Sequence, residues 1–152
     1  MFLAKMDSTK ALMHQLLKEK TFHPFLLREA TVTTFVTYTI DGQINGDFLE
    51  EEMEEGYCLW AQMQEQVLQW VKGKKLPKQM KLIFAAPKRL KEKVAPQASV
   101  LFLNVIFEQG EVRVVTGTSM ATFTLNKDAD RPWDEWVQGY LKKQGLQFET
   151  IA

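Results

Sequence analysis

The side chains best suited to chemistry fall into four groups: an acidic loop, a pair of aspartates, a block of lysines and a set of aromatic residues. The stretch DGQINGDFLEEE (41–52) has the outline of an EF-hand loop, with Asp41 at position 1, Asn45 at 5, Gly46 at 6, Phe48 at the apolar position 8 and Glu52 at 12. Gln43 is a poor third ligand, and TVTTFVTYTI before Asp41 is strand sequence where an EF-hand needs a helix. A hairpin turn at Asp41-Gly42 leading into an acidic edge accounts for the same residues. Asp128 and Asp130 form a DxD just before a proline-opened helix, where capping explains them. His14, His23 and Cys58 have no partner at metal spacing, so no zinc site is expected. Nor is there a Gly-rich phosphate loop, a GxSxG or a Cys–His pairing. The expectation is therefore a non-enzymatic protein with no catalytic residues, no metal and no cofactor. A metal-dependent enzyme, built from Asp7, Asp128, Asp130 and the acidic run, ranks third among the readings.

Charge is balanced in total but not in distribution. Residues 32–56 hold seven acids and no Lys or Arg, whereas residues 57–95 hold nine Lys/Arg against Glu65 and Glu92. Such polarity favours a basic surface for an anionic partner; two solvated faces of opposite sign would produce the same pattern. Four tryptophans, Trp60, Trp70, Trp133 and Trp136, all lie on apolar stripes. Burial against a sheet is the expectation for such stripes. The sharper alternative makes Trp133, Trp136 and Tyr140 an oligomer or partner interface, since aromatic anchors dominate such contacts.

These side chains need elements to position them. In VLFLNVIFEQGEVRVVTGTSMATFTL (100–125), Leu101, Leu103, Val105 and Phe107 alternate, Gln109-Gly110 turns, and Val112 and Val114 resume the alternation. Gly117 is expected to break the run before a third strand through Ala121, Phe123 and Leu125. A strand over Phe2–Met6 precedes a helix over about Ser8–Lys20, capped by Asp7, with Lys10, His14 and Lys18 on one face. Leu26 to Ile40 reads as strand, turning at Asp41-Gly42 and returning through Ile44 toward Phe48. Tyr57–Trp60 is strand-like, a helix follows from about Gln62 to Gly73, and Met80–Ala85 is a buried strand. The segment PKRLKEKVAP is helical or a connecting loop. Pro132, Asp134, Glu135, Lys142, Lys143 and Gly145 delimit a C-terminal helix over 131–144. Phe148–Ile151 is a final strand.

The whole is read as one α+β domain over 1–152, with helices packed on a mostly antiparallel sheet. FLAKMDSTKALMHQLLKEK is answered, at an offset of 54, by YCLWAQMQEQVLQWVKGKK, and each unit leads into about three strands. That gives two βαβββ units, 1–56 and 57–125, plus the C-terminal helix. This order, with VRVVTGTSMATFTL as its closing strands, resembles one domain of a DNA sliding clamp over residues 1–125. In that family paired helices line the DNA hole. The resemblance therefore implies double-stranded DNA as the partner, with phosphate contacts from Lys10, Lys18, Lys72, Lys74 and Lys75. The neighbouring Lys78, Lys88 and Arg89 extend the same basic surface. Taken whole, with TFVTYTIDGQINGDF and TGTSMATFTLNKDADRPWDEWV, the chain also looks like an uncharacterised family of small bacterial proteins.

The leading functional expectation is thus a clamp-like DNA-binding or replication/repair accessory protein. The alternative is a protein-interaction adaptor with no nucleic-acid role, working as a homo-oligomer or through another protein. The single cysteine and the lack of a long apolar run or a signal-like N-terminus place the expected location in the cytoplasm, away from membranes.

Overall fold

The computed structural model describes residues 1–49, 55–73, 75–120 and 129–152. Along the chain come β1 (Leu3–Met6), α1 (Thr9–Lys18), β2 (Leu26–Thr33), β3 (Thr37–Asp41), α2 (Gly46–Leu49) and α3 (Trp60–Val71). There follow β4 (Gln79–Ala85), α4 (Lys88–Val94), β5 (Ala98–Glu108), β6 (Glu111–Met120), α5 (Asp130–Lys143) and β7 (Phe148–Thr150). The strands form one seven-stranded sheet, ordered β3-β2-β4-β5-β6-β1-β7, with every neighbouring pair antiparallel. This is the expected α+β class, with a C-terminal helix added.

Period-2 alternation decides which face of the sheet is covered. Leu101, Leu103, Val105 and Phe107 of β5, Val112 and Val114 of β6, and Met80, Leu82 and Phe84 of β4 are all buried. Their alternate neighbours Ile83, Asn104, Ile106 and Val115 are only partly covered, on the opposite face. The buried row meets Leu12, Leu16 and Leu17 of α1, Trp60 and Val67 of α3, and Trp133, Val137 and Leu141 of α5 in one continuous cluster. At about 1.5–3 kcal/mol for each large apolar side chain buried, this layer is the main stabilising term. The helices that were expected to pack on the sheet therefore share one side of it.

Several local expectations shift. The cap of α1 is Ser8, whose Oγ accepts from the Ala11 N–H at 3.0 Å, rather than Asp7. The β2–β3 hairpin turns at Thr34–Val36, closed by the Thr34 N–H donating to the Val36 carbonyl at 2.8 Å, not at Asp41-Gly42. Pairing of Val32 with Tyr38 and Ala30 with Ile40 sets that register, and Tyr38 stacks on Trp70 of α3 at 4.8 Å. Residues after Asp41 form the one-turn α2 instead of a returning strand, and Tyr57 and Leu59 make isolated bridges rather than a strand. Trp60 opens α3, where Gln62 accepts from the Leu59 N–H at 2.9 Å. Gln109 and Gly110, at φ 52° and 76°, make the expected tight turn. Gly117, by contrast, does not break β6, which runs on to Met120 opposite Ala98. The third meander strand expected at 121–125 lies outside the described residues.

Gly42 has a role the sequence does not announce. A Cβ there would lie 1.8 Å from the Leu27 carbonyl oxygen, so the chain leaving β3 passes against β2 only because this residue is glycine. Gly42→Ala is expected to destabilise the protein by about 2–4 kcal/mol through this overpacking. Gly139→Ala, in open space on α5, is expected to stabilise it by up to about 1 kcal/mol. Urea unfolding of the two variants measures the contrast.

Candidate functional site

Two helix-lined depressions carry most of the residues singled out in the sequence. The larger is a groove of about 1110 Å³ between α1 and α3. Met13 and Leu17 form one wall, Leu68 and Val71 the other, and Leu76, 70% exposed, stands at one end. Lys10, Lys18 and Lys72 stand on its rim and are exposed, with Glu65 and His14 among them. Lys10 and Lys18 are eight residues apart on one helix, so they share a face about 12 Å long. Hydrogen bonds from α3 to the end of α1 hold the walls together: Trp60 Nε1–H donates to the Leu16 carbonyl at 2.9 Å. Gln64 Nε2 donates to the same carbonyl at 3.0 Å and to that of Glu19 at 2.7 Å.

The basic block does not form one surface. Lys72, Lys75 and Lys78 precede β4, and Lys88, Arg89 and Lys93 follow it on α4. A seven-residue strand advances roughly 23 Å, so the two sets sit at opposite ends of the sheet. Lys75, Lys78 and Lys88 are exposed; Lys74 lies outside the described residues. Lys91 is turned inward, donating to the Ala98 carbonyl at 2.9 Å.

The smaller depression is a cleft of about 300 Å³ between α4 and α5. Pro24, Phe25, Pro87, Leu90, Trp136 and Tyr140 line it, with Arg89 and Lys93 at its edge. Here Arg89, expected on a DNA surface, meets Trp136 and Tyr140, expected at a protein interface. Trp133 is not with them as a surface residue. It is fully buried and donates its Nε1–H to the Phe102 carbonyl at 2.8 Å, so it belongs to the core. Phe25 and Leu90 were not singled out by the sequence, and Lys93 stood out only as part of the basic block. Phe25 looks like one more strand aromatic, and nothing local to it signals that the turn before β2 reaches α5.

The acidic candidates are otherwise engaged. Asp130 and Asp134 accept hydrogen bonds from the hydroxyls of Thr118 and Thr116, which pins the start of α5 to β6. Among the described residues, no three His, Cys, Asp or Glu side chains are gathered as a metal site would require. Asp128 and Glu52 fall outside the described residues. Asp41 accepts from the Gln43 N–H at 2.8 Å at the end of β3. His14 pairs with Glu19 at 2.9 Å and His23 with Gln64 at 2.7 Å. Burial, aided by the Asp41 carboxylate, raises the Cys58 pKa against a lowering backbone hydrogen bond, so its thiol stays protonated near neutrality.

The fold and these two depressions define a two-layer α+β protein with grooves between its helices. The chain belongs to a family of unknown function, DUF5721, which it matches over residues 15–149. No curated protein and no solved structure matches it. Among the described residues, no helix is long and apolar enough to cross a membrane.

Tyr140 ties the cleft to the rest of the molecule through its hydroxyl, which donates to the Thr21 carbonyl. Burial raises its pKa, so the folded state favours the protonated phenol. Its contribution is complete below the pKa of an unfolded tyrosine and is lost as pH rises through the folded value. Tyr140→Phe is expected to cost about 1 kcal/mol at neutral pH. The variant is also expected to lose less stability than the parent at alkaline pH, as read from urea midpoints across a pH series.

Proposed function

We propose that the protein is a non-enzymatic, clamp-like DNA-binding accessory protein that holds the phosphate backbone of double-stranded DNA along the α1–α3 face. The observation that carries this reading is the placement of α1 and α3 side by side on one face of the sheet, with Lys10, Lys18 and Lys72 exposed along one groove. Lys75 and Lys78 continue the positive charge past the end of α3. Contacts of this kind neutralise phosphates without reading bases, so binding would be independent of sequence and steeply dependent on salt. Helices α1 and α3 would then play the part that paired helices play in a sliding clamp. Lys88 and Arg89, at the far end of β4, lie outside this footprint.

A second reading, a protein-interaction adaptor, is favoured by the apolar floor of the same groove. Met13, Leu17, Leu68 and Val71 would suit the apolar face of a helix laid between α1 and α3.

Fluorescence anisotropy with a labelled duplex separates the two. The DNA reading expects binding at 50 mM salt that weakens steeply by 200 mM, as for any protein making several phosphate contacts. The triple variant Lys10→Glu/Lys18→Glu/Lys72→Glu should reduce affinity at least about tenfold and flatten the log–log salt slope by about 3. Undetectable binding at low salt, or an unchanged slope in a folded triple variant, would leave the adaptor reading.

A further inference from the structure

We infer that the cleft between α4 and α5 is a docking site for an acidic peptide segment of a partner protein. One bulky apolar side chain of that segment enters between Phe25, Leu90, Trp136 and Tyr140, and its flanking carboxylates meet Arg89 and Lys93. The inference holds whether the α1–α3 groove takes DNA or a protein helix, because the two sites share no residue.

Size comes first. About 300 Å³ is the lower limit for a ligand pocket, suited to one or two large side chains rather than to an extended cofactor. The walls are apolar, and the charged groups at the edge are both cations.

Electrostatics selects the sign of the occupant. Arg89 and Lys93 are four residues apart on α4, a like-charge pair that disfavours the helix carrying it. Neither has a carboxylate within salt-bridge distance among the described residues. The one acid on α4, Glu92, is engaged by Lys91 at 3.5 Å. A carboxylate between Arg89 and Lys93 turns that repulsion into two attractions. The four-residue helical rise is about 6 Å. Two residues of extended chain advance about 6.8 Å, so acids at alternate positions of an extended segment match the two cations.

The aromatic geometry shapes the receiving surface. Trp136 stacks with Trp133 at 5.4 Å and with Tyr140 at 4.8 Å, both with 12° between ring planes. Phe25 meets Trp136 and Tyr140 edge-on at 6.1 and 5.8 Å. With Trp136 already stacked on two rings of its own chain, the ring edges and the Leu90 and proline side chains are left to receive an apolar side chain. The Tyr140 hydroxyl, fixed on the Thr21 carbonyl, holds this wall in place before anything binds.

The test is selection from a phage-displayed random heptapeptide library on the intact protein, in parallel with Arg89→Glu/Lys93→Glu. Peptides enriched on the parent should carry one large apolar residue beside two or more Asp or Glu. The double variant, altered only at exposed or edge positions, should lose that enrichment and bind the leading synthetic peptide at least tenfold more weakly while melting normally. Pro24→Trp, which narrows the exposed mouth and adds no charge beside the two cations, should weaken the same peptide. Equal enrichment on the parent and the double variant, or selected peptides without acids, would overturn the inference. Phenylacetate matching the peptide's affinity would reassign the cleft to small molecules. Displacement by duplex DNA, with DNA affinity lost in the double variant, would reassign it to nucleic acid.

Discussion

The open carbonyls at the C-terminal end of α1 are the constraint on which the helix layer depends. An α-helix leaves its last carbonyls without intrahelical donors, and burying them unpaired is costly. Here α3 supplies the donors: Trp60 Nε1–H and Gln64 Nε2 reach Leu16, and Gln64 reaches Glu19 as well. The Gln64 carbonyl oxygen is used too, on His23 Nε2. Because Trp60 is also fully buried against Phe84 of β4, the same residue sets the height of α3 over the sheet and its register against α1. The groove walls, and the lysines above them, face each other as a consequence.

The fifth helix is held by the same means at different points. Trp133 donates to Phe102 in the middle of β5, the Thr116 and Thr118 hydroxyls take Asp134 and Asp130, and Gln15 of α1 donates to the Gln144 carbonyl at 3.1 Å. Tyr140 adds the link to Thr21. An element fixed at its start, middle and end presents a rigid wall, and the α4–α5 cleft has such a wall on one side. The other side, α4, is seven residues long and buries no side chain fully. Its position depends on Leu90, Val94 and the inward hydrogen bonds of Lys91.

Much of this was legible in the sequence, because the signals were periodic. Alternation gave the strands of the β5–β6 hairpin, and Gln109-Gly110 gave its turn. The stripe Trp133, Trp136, Val137, Tyr140, Leu141 gave α5 to within a residue at each end. What failed were glycine and turn assignments, where one residue type serves several purposes. Gly42 permits a close approach to Leu27 instead of forming a hairpin turn, Gly117 sits in an ordinary strand, and the real β2–β3 turn at Thr34–Val36 contains no Gly, Pro, Asn or Asp. Charge was legible only in total. Residues 57–95 are strongly basic as a block, but β4 passes through the middle and carries the halves apart.

That separation changes what the cations can do. A lysine beside an apolar groove lays its methylene stem on the groove and holds its ammonium in water, so it shields apolar surface as well as offering charge. Lys10, Lys18 and Lys72 are placed for both tasks, over Met13, Leu17, Leu68 and Val71. Arg89 and Lys93 stand in the same relation to Leu90 and the aromatic wall of the smaller cleft. Each surface therefore pairs cations with apolar surface, which a uniformly charged polymer uses only in part. An anionic partner with an apolar side of its own uses both. The two grooves differ in volume and share no side chain, so a substitution in the lining of one leaves the lining of the other unchanged.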